Sequence, residues 1–499
     1  MNATGEARLP TKSGAKATAL RTLRDSRPPL EPRAASGVRR VHRRFPSLEA
    51  APWDPAMPNS LLIENGTVLT LGIAARVLPG YSVLIQDGLI AQVAPKQAIR
   101  NFRGRRIDAT GKVVLPGFIN AHTHFYSSFA RGLTKTKPAK DFNGVLKNLW
   151  WRLDSALTTE DCYYSALVAL LDSIRHGTTT LIDHHASPRA IAGSLGAIER
   201  AVRETGLRAC HCYELSDRDG DSIAKAGLAE NAWFIRHCQA RDDAQVKALF
   251  GLHASFTISD ATLEKAAAYG QALRSGFHIH VAEAQSDQAW ARRHGGRRVV
   301  ERLKRFEILG PRSIAAHCVH VNRREMDLLA ETQTAVVHNP QSNMNNAVGV
   351  ANVIELARRG ALVGLGTDAM TTNMLEELRV ALWGQHLRAE NPSVGFGEVT
   401  STLLANNPQI AGRIFGLRFG EIAEGAAGDL ALFDYDPPTP LVSENVAGHL
   451  VFGVSQVPAD TTIVGGRVLM ENRRLTLNLD EARINARARE LAQDLWQRM

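Results

Sequence analysis

Leu115-Pro116-Gly117-Phe118-Ile119-Asn120-Ala121-His122-Thr123-His124 is an apolar run that closes on His-Thr-His. In an extended segment side chains alternate faces, so His122 and His124 point the same way and can chelate one metal ion. A lone HxH pair is more often packed or at the surface than metal-bound. Three later stretches change that weighting: His278-Ile279-His280-Val281-Ala282-Glu283, Ala316-His317-Cys318-Val319-His320 and Gly364-Leu365-Gly366-Thr367-Asp368. Each closes a short apolar run on a residue that can bind metal.

These runs belong to a longer series. Strand-like segments at 113–120, 179–183, 208–213, 247–253, 277–281, 313–316, 334–337 and 362–365 alternate with helix-forming stretches. Eight such units describe an α/β fold, a (β/α)8 barrel, with its chemistry at the C-terminal strand ends. The candidate ligands fall on the ends of strands one, five, six and eight. Outside this region 61–68 and 81–90 read as strands joined through Asn65-Gly66 and Asp87-Gly88 turns, and 428–434 and 461–469 read as strands again. Residues 59–112 plus 421–475 are therefore expected to form a composite β-sandwich beside a barrel over 113–420, with a C-terminal helix over 476–499.

A chain of 499 residues with 44% hydrophobic and 22% charged residues has the composition of a globular protein larger than one typical core. No run of eighteen apolar residues and no signal peptide is evident, so neither a membrane nor secretion is expected. The five cysteines are odd in number and sit in apolar or helical runs, which suits reduced thiols and a cytoplasmic location. Cys210-His211-Cys212 reads as a buried strand, because alternation parts His211 from the two thiols. The net charge of +9 is concentrated in residues 1–58, where eleven Lys/Arg face five Asp/Glu. This basic segment lacks periodicity and is expected to be disordered, and Met57 is an alternative start. A nucleic-acid partner is not expected, since the rest of the chain is nearly neutral.

On these motifs the chain resembles the amidohydrolase superfamily, in its cytosine-deaminase-like and triazine-hydrolase-like branch. Leu146 to Asp154, Ile182 to Pro188 and Ser342-Asn343-Met344-Asn345-Asn346 are similar to an aminohydrolase subfamily associated with selenium-dependent molybdenum hydroxylases. The resemblance implies a distorted TIM-like barrel, a composite β-sandwich and one divalent metal, zinc first and Fe2+ second. It implies His122, His124, His280 and Asp368 as ligands. Gly251-Leu252-His253-Ala254-Ser255 lacks the lysine that would carry a bridged metal pair.

Such a metal lowers the pKa of bound water from about 16 toward 7. Asp368 would take a proton from that water, Glu283 would protonate a ring nitrogen, and His317 would hydrogen-bond the attacked group. His253 is expected at the substrate, as is at least one of Asp183, His184 and His185, while Trp150 and Trp151 could wall the pocket, pack in the core or lie at an interface. His278 and His320 are expected to be structural. Asn345-Asn346 departs from the lysine common in relatives, which puts familiar specificities in doubt. The expected function is deamination of a small N-heterocycle such as a purine, pterin or pyrimidine-like ring, by a homodimer. The alternatives are dechlorination or ring opening of a similar ring, or a catalytically silent partner of a redox hydroxylase.

Overall fold

The computed structural model describes residues 60–72, 75–99, 101–134 and 136–499. The basic segment and the alternative start at Met57 lie outside the described residues. In chain order the first strands are β1 (Ser60–Leu69), β2 (Val77–Gln86), β3 (Leu89–Pro95), β4 (Arg105–Asp108) and β5 (Lys112–Pro116). The central ones are β6 (Phe118–Thr123), β7 (Thr178–His185), β8 (Arg208–Tyr213), β9 (Val246–Ala248), β10 (Phe250–Ala254), β11 (Phe277–Val281), β12 (Ile314–His317), β13 (Ala335–His338) and β14 (Val363–Leu365). The last are β15 (Leu430–Asp434), β16 (Ala459–Val464), β17 (Arg467–Glu471) and β18 (Arg474–Leu475).

The strands from the two ends of this region hydrogen-bond as one nine-stranded sheet, in which β5 pairs antiparallel with β15. Leu61, Ile85, Ile107, Leu430 and Ile463, from strands far apart in its order, share one apolar core, so the sheet curls around it. Asp87-Gly88 is a two-residue hairpin with φ of 49° and 80°, as such a turn requires. Asn65-Gly66 is not a turn. It is an irregularity inside β1, with Asn65 at φ 62°, a conformation that Asn tolerates.

The central strands form two parallel sheets, β6-β7-β8-β9 and β10-β11-β12-β13-β14. Single parallel bridges, Thr123 to Asp368 and Leu215 to Leu252, link their margins. Two segments read as single strands are each split. The 113–120 run breaks at Gly117, whose amide donates to the Asp429 carbonyl at 2.8 Å and where a Cβ would lie 2.2 Å from Thr179 Cγ2. Its first half joins the terminal sheet and its second half starts the parallel one. The 247–253 run breaks at Leu249, leaving β9 on β8 and β10 on β11.

Helices follow the strands on the usual signals. Thr158 and Asp161 form a capping box at the start of the helix Thr159–Arg175, and Asn322 with Glu325 does the same for Arg323–Glu331. The final helix is Glu481–Arg498. Among the described residues no helix is long and apolar enough to cross a membrane.

A buried ion pair fastens the terminal sheet to the parallel one: Arg208 on β8 holds Asp429 through Nε to Oδ2 at 2.8 Å and Nη2 to Oδ1 at 3.2 Å. Asp429→Ala leaves the guanidinium buried and unpaired, so the expected loss is about 3–5 kcal/mol in chemical denaturation. A loss under 1 kcal/mol would mean that the pair is not structural.

Candidate metal centre

His122, His124, His280 and Asp368 meet at the C-terminal ends of β6, β11 and β14. His124 Nε2 lies 3.2 Å from His280 Nε2 and 3.0 Å from Asp368 Oδ1, and His122 Nε2 lies 3.7 Å from the same oxygen. The other ring nitrogens are anchored. His124 Nδ1 donates to the His184 carbonyl at 2.5 Å and His280 Nδ1 to the His253 carbonyl at 2.8 Å. His122 Nδ1 meets His278 Nε2 at 2.8 Å, His278 Nδ1 lies 3.8 Å from Cys212 Sγ, and that thiol reaches the Asp183 carbonyl. A thiol that donates to the carbonyl and accepts from His278 leaves His278 Nε2 to accept from His122. Its Nε2, buried without a partner, then carries a lone pair. Each anchor fixes a tautomer and aims Nε2 at one point, as supporting hydrogen bonds do around metal-binding histidines.

The backbone presents these groups under strain. Ala282, His317 and Asp368, at the ends of β11, β12 and β14, have φ of 47°, 71° and 53°. Non-glycine residues held there cost about 1–3 kcal/mol each, and such strain concentrates at functional sites. Asp368 is pinned by its own amide on the His122 carbonyl at 3.0 Å, and Asn120 clamps Thr367 at 2.7 Å. Gly366 is obligatory, because a Cβ there would lie 2.8 Å from His122 Cβ.

Electrostatics fit a cation. Burial alone would lower the His124 pKa, yet Asp368 and Glu214 raise it well above the ordinary imidazole value. Glu214, although buried, is held down to about 2, chiefly by His124. Burial drives His122 well below its usual value, with His278 and His124 adding to the effect, so it is a neutral donor. Three imidazoles and one carboxylate suit Zn2+ or Fe2+. The unpartnered His122 Nε2 shows that these residues fit a metal.

A cavity opens on this point. Its polar wall carries His124, His280, Glu283, Asp368, Glu214 and His253, and its apolar wall carries Phe142, Leu146, Trp150, Trp151 and Phe256. A π-helical turn, Leu146–Trp150, presents the tryptophans, a local irregularity frequent at functional sites. His317 Nε2 is 3.5 Å from Glu283 Oε2 and 4.0 Å from Asp368 Oδ2. Burial, then Asp368 and Asp287, raises Glu283 well above the usual carboxyl range, so it can serve as an acid near neutral pH.

The other predicted contacts divide. His253 and Trp150 line the cavity. Asp183 and His185 do not: Asp183 accepts from the Phe125 amide at 2.8 Å, and His185 packs against Cys162 and Ser187 in the interior. In β7 the side-chain alternation turns both away from His184, which faces the metal point with its ring 4.7 Å from that of His280. Tertiary contact makes His278 an orienting partner of His122, whereas the sequence reading made it structural only. Glu214, Arg218 and Asp154 were missed. Glu214 stands one residue past β8, and that position on the strand's C-terminal end was its only signal. Arg218 holds Asp154 at 2.5 Å, and no spacing rule joins residues so far apart in sequence. Asn346 lines the cavity, 3.4 Å from Glu283 Oε1.

Burial raises Asp287, beside Glu283 in the cavity, to about 7 from an ordinary value near 3.8. Between these values the unfolded chain loses this proton while the folded chain keeps it, so Asp287 costs stability progressively as pH rises from about 4 to 7. Asp287→Asn is expected to flatten that decline, measured as denaturation midpoints at pH 5 and 8. An unchanged pH slope would refute the assignment.

A metal-assisted hydrolase is the class that this fold and site define. Residues 113–469 match the amidohydrolase family, and the chain belongs to it. The 5-methylthioadenosine/S-adenosylhomocysteine deaminase of Pelotomaculum thermopropionicum is 32% identical over 442 residues, 87% of this chain and 98% of that protein. The 5'-deoxyadenosine deaminase of Methanobrevibacter smithii is 31% identical over 88% of this chain and 98% of its own length. An adenosine deaminase structure from Xanthomonas campestris with bound zinc superposes with a TM-score of 0.78 at 24% identity, covering 88% of this chain and 98% of that one. A zinc complex of an atrazine chlorohydrolase from Arthrobacter aurescens superposes at 0.74 and 23% identity, covering 87% and 100%. These likenesses imply a TIM-barrel-like α/β fold, and the described strands and helices form α/β sheets. The chain is a hydrolase acting on carbon–nitrogen bonds, and its deaminase relatives support deamination of an N-heterocycle.

Proposed function

We propose that this enzyme deaminates an amino-substituted N-heterocycle with one zinc ion held by His122, His124, His280 and Asp368, and that its first candidates are adenosine-type nucleosides. The observation that carries this reading is the convergence of three anchored Nε2 atoms and Asp368 on a point flanked by Glu283 and His317. The nucleoside preference is supported by the activities named for the two deaminase relatives.

A divalent metal at that point supplies a Lewis acid that acidifies a water molecule. Asp368, one carboxylate oxygen held by Ser342, takes a proton from the attacking water and passes it to the departing amino group. Glu283 donates its proton to the ring nitrogen beside the attacked carbon. His317, its Nδ1 2.8 Å from Asn343 Nδ2, turns Nε2 toward the developing oxyanion. A C–O bond forms and the C–N bond breaks, with one water proton leaving in ammonia and the other replacing the proton given to the ring. Trp150, Trp151 and Phe256 give the heterocycle an apolar face to lie on.

Several finer features belong to the same reading. The bridges between the two parallel sheets support one distorted barrel, and the pairing of β5 with β15 moves its start from the expected residue 113 to Phe118 on β6, so that the strands before it, β5 included, join those of 421–475 in the composite β unit. The absence of lysine at the end of β10 supports a single metal ion. Exposed Trp383 and Leu387 on the helix Met374–Ala389 support a homodimer, and five free buried cysteines support a cytoplasmic setting. The quoted motifs support kinship with the subfamily linked to selenium-dependent molybdenum hydroxylases. The deciding experiment is ammonia release by the zinc-loaded protein from a library of adenosine-type nucleosides, purines, pterins, pyrimidines and triazines. Release that disappears with Glu283→Gln supports the proposal, and silence across the library with zinc bound refutes it.

A further inference from the structure

His184, at the penultimate position of β7, is fully buried, and neither ring nitrogen has a hydrogen-bond partner. A buried polar group left unpaired costs about 1–3 kcal/mol, so each such group in a native core calls for a physical reason. Its nearest carboxylate, Glu214 Oε1, lies 3.6 Å from Nδ1, beyond hydrogen-bond reach. Its ring stacks on that of His278 with centroids 4.4 Å apart, which leaves the ring edge with its nitrogens as the interacting part. That edge belongs to the metal point: His122, His124, His184 and His280 each offer a ring nitrogen, and these atoms lie within 4.8 Å of one another. Donors about 2.1 Å from one ion are at most about 4.2 Å apart, so a shift of a few tenths of an ångström brings the fourth imidazole in.

We propose that His184 is a further metal ligand, making a set of four imidazoles and the Asp368 carboxylate. This rests on the metal reading of His122, His124, His280 and Asp368 given above. Five protein donors with one water fill an octahedron, the geometry of Fe2+ or Co2+ more than of tetrahedral Zn2+. The alternative role for His184 is an outer partner of Glu214, with its nitrogens outside the metal's coordination sphere.

The test is X-ray absorption of the Zn2+-loaded and Co2+-loaded full-length chain, with the Co2+ visible spectrum and metal affinity from chelator competition, for wild type, His184→Gln and His184→Ala. The proposal expects four imidazoles per metal in the wild type, weak Co2+ bands of five- or six-coordinate geometry, three imidazoles in His184→Gln, and an affinity loss above about 100-fold. Removing an outer partner costs about 10–100-fold and leaves the imidazole count unchanged. Three imidazoles in the wild type overturns the proposal and leaves the metal site standing, and this holds even if both variants fail to fold. A wild type that binds neither metal overturns both.

Discussion

Glu283→Gln is expected to lower kcat about 10²–10⁴-fold, the usual contribution of a placed general acid. Burial first, then the charges of Asp368 and Asp287, favours the protonated form of Glu283. Asn346 lies 3.4 Å from one of its oxygens, a contact that an isosteric amide can keep. Substrate affinity should therefore change only a few-fold, and the loss should appear in turnover. The acid is active when protonated, so wild-type kcat falls as pH rises through the raised pKa, and the variant loses that dependence. Ammonia release at saturating substrate across pH 5–10, with binding measured separately by calorimetry, decides the point. An unchanged kcat in the variant removes Glu283 from the chemistry.

His280→Ala is expected to abolish stoichiometric metal binding and with it at least about 10³-fold in kcat/KM, since Lewis-acid stabilisation supplies several kcal/mol and each 1.36 kcal/mol is tenfold. The variant removes the donor that faces His124 Nε2 at 3.2 Å. The wild type should show the same loss on chelation and recover on adding Zn2+. Its stability should track metal concentration, with about 2.7 kcal/mol gained at a hundredfold excess over Kd. Metal analysis, activity and denaturation midpoints on the same samples check all three. Full activity in a metal-free His280→Ala protein would refute a metal role.

The terminal sheet shows how far local reading reaches. Asp87-Gly88 is legible because a two-residue hairpin needs left-handed φ at both positions, and few residues supply it. Asn65-Gly66 is a dipeptide of the same turn-forming kind but lies inside β1, because pairing with β2 continues past it. Composition marks where the backbone can turn left-handed, and only pairing decides whether the chain reverses there. Gly117 teaches the same lesson. The apolar run across it is continuous in sequence, while the close approach of Thr179 divides it between two sheets.

At the site, the order of histidines and Asp368 on strand ends was readable, because strand periodicity and metal chemistry are local properties of short motifs. By itself the sequence determined which residues could be ligands, the alternation of strands and helices, and the concentration of net positive charge in residues 1–58. Only the tertiary structure decided that Asp183 and His185 turn inward to packing, that His278 and Cys212 orient His122, and that Glu214 and Arg218 stand at the cavity. These depend on groups from different elements meeting at distances of 2.8–3.8 Å. Strand register and twist set such distances, and neither is written in any one stretch of the chain.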